Sequence, residues 1–152
     1  MAVTEVHFYH LQRRPMEAVL PALLAKSRER GWRAVVKVDG DDRLAALDDH
    51  LWSFSDESFL PHGTDREPDP AEQPVLLTAG DDNRNGAAIL FLVEGAAMPA
   101  DISGYERVVL MLNGRDEEAV AEAREVWRRL RGEGYAVTYW QQDETGRWQK
   151  RA

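Results

Sequence analysis

The sequence predicts an α/β protein in three layers (αβα): a single domain whose mostly parallel, twisted sheet is covered by helices on both faces. Three observations lead there. Short apolar runs alternate along the chain with longer stretches whose apolar residues recur at helical spacing. Several runs are apolar throughout, as expected of strands covered on both faces. And 152 residues without an internal repeat fit one domain, able to bury roughly two-thirds of the surface its unfolded chain exposes.

In chain order, "VHFYHL" (6–11) reads as the first strand. "PMEAVLPALLAKSRERG" (15–31) reads as a helix with Met16, Val19, Leu20, Leu23 and Leu24 on one face. Pro15 suits a first-turn position and Gly31 a C-terminal cap, whereas Pro21, lacking an N–H, predicts a kink or a later helix start. A second strand, "RAVVKV" (33–38), leads into a helix over 41–52, where Leu44, Leu47 and Leu51 follow an acidic first turn. Residues 61–74 hold four of the 7 prolines and read as a surface loop. "VLLTA" (75–79), "AAILFLVE" (87–94) and "RVVLML" (107–112) read as buried strands, the first two separated by the turn residues of "GDDNRNG". The strongest helix signal spans 113–134. Asn113 is its expected cap with Asp116 three residues on, acidic residues fill the first turn and arginines the last, and Gly132 or Gly134 stops it. "YAVTYW" (135–140) is the closing strand, and one sheet edge is expected to be antiparallel. The domain is therefore read over residues 1–140, with 141–152 a polar C-terminal tail.

Composition removes several function classes. With no cysteine there is no disulfide framework, thiolate nucleophile or cysteine metal site, which fits a reducing cytoplasm. No segment approaches the ~20 apolar residues of a bilayer span, and the N-terminus lacks a targeting pattern, so a soluble, cytoplasmic protein is expected. A net charge of −8 repels phosphate backbones, so any nucleic-acid role is expected to run through another protein.

Such architecture resembles nucleotide-binding folds, yet the motifs are missing. The turn after the first strand, "YHLQRRPMEA", has no glycine to admit a pyrophosphate, and no glycine run leads to Lys-Ser/Thr. Asp39, Asp41, Asp81 and Asp82 sit at strand ends, where Mg²⁺ could be held, but helix starts and turns account for them equally well. His7, His10, His50 and His62 lack the i, i+4 spacing of a helical metal site, and none of Ser53, Ser55 and Ser58 lies in a nucleophile elbow. No catalytic residue, metal site or cofactor is expected. The alternative is a small nucleotide- or Mg²⁺-dependent enzyme built on those four aspartates.

Two surfaces look suited to binding. On the last helix Ala119, Ala123, Val126 and Leu130 form the core stripe. Trp127 borders that stripe, and Arg124, Arg128 and Arg131 come next in angle. Guanidinium forks beside an indole can receive a short acidic peptide with an apolar end, although Glu125 can equally pair with Arg128 or Arg129 on the helix itself. The second surface is "LWSFSDESFLPHG" (51–63), which sets Trp52, Phe54 and Phe59 among turn residues beside Pro61. These are rigid anchors for a partner, or else Phe59 and Leu60 plug the sheet edge.

"FYHL", "LDDHLWSFSDESFLPHG" and "AREVWRRLRGEGY", in that order, resemble the chi subunit family of bacterial DNA polymerase III holoenzyme. The most specific part is Leu51-Trp52 followed by Glu57, Ser58, Phe59, Pro61 and His62. The resemblance implies a noncatalytic accessory subunit of the clamp-loader assembly, linking the replicase at the nucleoid to single-stranded DNA-binding protein. It implies that Arg124, Trp127 and Arg128, with Arg131 adjoining, receive that protein's acidic C-terminal tail, which ends in an apolar residue and a free carboxylate. It also implies that Trp52, Phe59 and Pro61 belong to a second face, which docks a psi subunit or, alternatively, a repair helicase of the XPD type.

Overall fold

The alternation of apolar runs and helical stripes folds into one sheet with helices on both faces. The structure, a computed structural model, describes residues 4–12, 14–53 and 61–151. Along the chain these form β1 (Glu5–Leu11), α1 (Met16–Glu29), β2 (Ala34–Lys37), α2 (Asp41–Ser53), β3 (Gly63–Thr64) and β4 (Val75–Thr78). There follow β5 (Ile89–Leu92), β6 (Arg107–Asn113), α3 (Glu117–Gly132), β7 (Ala136–Gln142) and β8 (Trp148–Lys150). The strand order is β3-β4-β2-β5-β6-β1-β7-β8, and every neighbouring pair is parallel except β7–β8.

Period-two alternation sorts the strand side chains onto two cores. Val6, Phe8, Val108 and Leu112 pack with Ala123 and Leu130 of α3 on one face. Val109 and Met111 pack with Leu20 and Leu24 of α1 and Leu44, Leu47 and Leu51 of α2 on the other. Among the described residues, α3 thus lies on one side of the sheet and α1 and α2 on the other. Among the described residues no helix is long and apolar enough to cross a membrane.

Several local expectations are corrected. α1 starts at Met16 and runs through Pro21. Having no N–H, Pro21 leaves the Glu17 carbonyl without its helical donor, and the His50 ring of α2 lies 2.8 Å from that oxygen through Nε2. The cap of α3 is Asp116, whose Oδ1 accepts from the backbone N–H groups of Glu118 and Ala119 at 3.0 and 3.3 Å. Asn113 instead ends β6, and its side chain accepts from the Arg115 N–H. The surface loop read over 61–74 contains β3, with Gly63 and Thr64 buried beside β4, and a single 3-10 turn at Pro70–Glu72. β4 and β5 are not neighbours: β2 lies between them, parallel to both. The "GDDNRNG" segment is therefore part of a crossover, anchored by buried Asn85 donating to the Ala34 and Gln73 carbonyls.

Residues 141–152 are the largest correction. β7 runs on to Gln142, and Asp143 Oδ1 then gathers the N–H groups of Thr145 and Arg147 and the Thr145 hydroxyl into a tight turn. Gly146 takes φ +86° there, and β8 returns antiparallel to β7. The antiparallel edge foreseen in the sequence is this hairpin.

Candidate binding site on the last helix

α3 presents its apolar stripe to the sheet, with Ala123 and Leu130 buried and Ala119, Val126 and Trp127 half-buried. The arginines one step around the wheel therefore emerge along its flank above β7. Arg131 places its guanidinium carbon 4.9 Å from the centre of the Trp127 ring, a cation–π contact. The Trp127 ring packs with Tyr135, Val137 and Tyr139 against the core, and its indole N–H is buried without a hydrogen-bond partner among the described residues.

The charge of Arg124 acts on both His10, near the carboxyl end of β1, and Tyr139 of β7. These two are joined by a 2.7 Å hydrogen bond between His10 Nδ1 and the Tyr139 hydroxyl. Burial, and then Arg124, lower the His10 pKa from its ordinary value, while burial raises that of Tyr139 against the opposing pull of Arg124. Arg128 donates from Nη1 to Glu125 Oε1 at 2.8 Å, both side chains being largely exposed. Of the two intrahelical pairings open in the sequence, this is the one formed.

The His10–Tyr139 pair was not legible as part of this flank. It depends on the parallel register that sets Phe8 beside Tyr139 and His10 beside Gln141, which no single segment encodes. Gly114 belongs to the same corner: a Cβ there would overlap the His10 ring and sit 2.9 Å from the Leu11 carbonyl oxygen.

The second group of residues lies across the sheet. Trp52, at the end of α2, is 50% exposed and leans on His62, ring centroids 4.1 Å apart and planes tilted by 36°. His62 is buried, its Nε2 3.0 Å from Asp48 Oδ1, so the indole stands on a fixed base. Pro61 is half-buried beside them, whereas Phe59 and Phe54 lie outside the described residues.

The four aspartates of the enzymatic alternative do not converge. Asp41 pairs with Arg66 at 2.7 Å, Asp81 with buried Lys37 at 2.5 Å and Asp82 with Arg84 at 3.8 Å. Asp39 alone of the four lines the cleft of about 1310 Å³ at the carboxyl ends of β1, β5 and β6. In that cleft burial and then the neighbouring Glu17 raise the pKa of Glu94, and Glu94 itself adopts φ +50°. Among the described residues, no three His, Cys, Asp or Glu side chains are grouped to hold a metal ion.

Comparison with known proteins decides the family. The family model of the DNA polymerase III chi subunit, HolC, matches residues 3–138. The chain belongs to this family. The DNA polymerase III subunit chi of Pseudomonas aeruginosa is 30% identical over 140 residues, covering 89% of this chain and 94% of that protein. A probable DNA polymerase III subunit chi of Rickettsia prowazekii is 27% identical over 95 residues, 62% of this chain; the match spans about half (55%) of that relative's length. Membership places the chain among the accessory subunits of DNA polymerase III and so in DNA replication.

Proposed function

We propose that this chain links DNA polymerase III to single-stranded DNA-binding protein by holding that protein's acidic C-terminal tail on the outer flank of α3. The observation that carries the reading is that Arg131 lies over the Trp127 ring, with Arg124 and Arg128 on the same helix α3, in a chain of net charge −8. Arg124 and Arg128 receive carboxylates, including the terminal one, because a guanidinium offers two parallel N–H donors to a carboxylate. The terminal apolar side chain packs between the α3 flank and β7, beside Trp127. Arg131, already seated over the indole, adds positive potential for the acidic residues upstream.

Trp52 and Pro61, with Phe59, form a separate docking face for a psi-type subunit or, alternatively, an XPD-type helicase. A 50% exposed indole braced on a buried histidine has the rigidity of an interface anchor. The role calls for no chemistry by the chain itself.

Titrating a fluorescent peptide copied from the tail into the wild-type protein tests the reading. Binding that weakens with salt and is lost when the terminal carboxylate is amidated is expected. No binding by the wild type overturns it.

A further inference from the structure

Among the described residues, the α1–α2 face of the sheet is less covered toward β7 and β8 than at its centre. α1 and α2 pack over β2, β3, β4 and β6, while α3 lies on the opposite side of β7. The pairing register places His7 and Tyr9 of β1, Trp140 of β7, and Trp148 and Lys150 of β8 together on this face, where Tyr9 and Trp148 border the core beneath α1 and α2. Trp140 lies near-parallel to both β1 rings, 6.4 Å from His7 at 15° and 6.4 Å from Tyr9 at 22°, and Trp148 meets Tyr9 edge-on at 4.9 Å. The Trp140 indole N–H donates to His7 Nδ1 at 3.0 Å, which fixes both rings. All four rings are half-buried, so each keeps part of its surface in solvent.

Cations border these rings. Arg107 and Lys150 both act on His7, and Arg107 and Arg30 flank the Trp32 ring at 5.4 and 3.9 Å. Glu5, the carboxylate that acts on His7, is already paired with Arg107 at 3.0 Å. Burial, and then Arg107, hold the His7 pKa down to about 4, so at neutral pH His7 is an uncharged ring.

An ordered group of rings inside a border of cations meets the two needs of a single polynucleotide strand, bases to stack and phosphates to neutralise. An acidic peptide would need the cations and one apolar wall, not four rings. We propose that, locally reversing the repulsion expected from the net charge of −8, this face binds single-stranded nucleic acid directly, its bases stacking on Tyr9, Trp140 and Trp148 and its phosphates meeting Lys150, Arg107 and Arg30. The proposal stands apart from the tail site, which lies across the sheet on α3.

The test is fluorescence anisotropy of a labelled oligothymidylate of about 20 nucleotides, long enough for several stacked bases, with the full chain and no tail peptide present. Saturable binding with quenching of tryptophan emission is expected, and three neutralised phosphates give log K against log salt a slope of about −2. Lys150→Glu, a surface change, and Trp140→Leu each weaken binding about fivefold or more. Arg84→Ala, on the β4–β5 crossover, leaves it unchanged. Absence of binding at low salt, equal affinity for duplex DNA, or loss equal in Arg84→Ala and Lys150→Glu overturns the proposal. So does a dimer dispersed by Trp140→Leu in a protein that ignores the oligonucleotide.

Discussion

Glu125 already occupies Arg128 in the free protein, so a tail carboxylate has to displace it, and removing each partner in turn gives opposite signs. The Arg128–Glu125 pair is 2.8 Å long with side chains 64% and 74% exposed. An exposed pair three residues apart on a helix contributes about 0.2–0.5 kcal/mol. A hydrogen bond from Arg128 to a ligand carboxylate is worth about 1.5–3 kcal/mol, and giving up the Glu125 pair takes back up to about 0.5, leaving roughly 1–2.5 kcal/mol. Arg128→Ala should therefore weaken the tail peptide roughly 5- to 70-fold at low salt. Glu125→Ala removes the competitor and a repelling charge, so it should tighten binding about twofold. Both variants should stay within about 0.5 kcal/mol of the parent in urea denaturation, because both side chains are on the surface. Fluorescence anisotropy with one peptide at two salt concentrations reads all three affinities. Weaker binding by Glu125→Ala, or undiminished binding by Arg128→Ala, would refute the reasoning.

Other perturbations probe separate parts of the molecule. Trp52→Ala should leave tail affinity within twofold (about 0.4 kcal/mol) of the parent in the same titration, since the sheet lies between the two sites. Folded His7 titrates near 4 against an ordinary 6.5, so as pH falls between those values the unfolded chain gains the proton first and stability declines. Melting temperature should fall over that window, and less steeply in His7→Gln. Gly114→Ala should cost about 1–3 kcal/mol in urea denaturation, because the new methyl overlaps the His10 ring and crowds the Leu11 carbonyl. His50→Ala should cost about 0.5–1 kcal/mol, and clearly less in a Pro21→Ala background, where the helix regains the N–H that serves the Glu17 carbonyl.

The strands around the sheet centre were legible because burial on both faces writes an apolar run, as in "VLLT" of β4 and "ILFL" of β5, each buried throughout. Their order was not, since β4 and β5 look like successive neighbours until β2 is found between them. β8 escaped because three residues between polar neighbours carry no period, and its hold on the sheet is a turn built by one carboxylate, Asp143. Asn113 with Asp116 three residues on has the spacing of a cap, but β6 extends through Asn113 and leaves the capping to Asp116. At the candidate site, the helical wheel was enough to bring Trp127 and the arginines together, because all lie on one element. The His10–Tyr139 bond, on which the Arg124 charge acts, joins residues 129 apart and follows from strand register alone.

The sheet ends in its two smallest strands, β3 with two residues and β8 with three. A strand from another molecule laid along either rim would find only a few backbone rungs to bond, too few to hold it or to seed a growing ladder. Attachment to neighbours in a large assembly therefore falls to side chains standing on helices and sheet faces. Such contacts can be retuned one residue at a time without touching the hydrogen-bond lattice that keeps the domain folded.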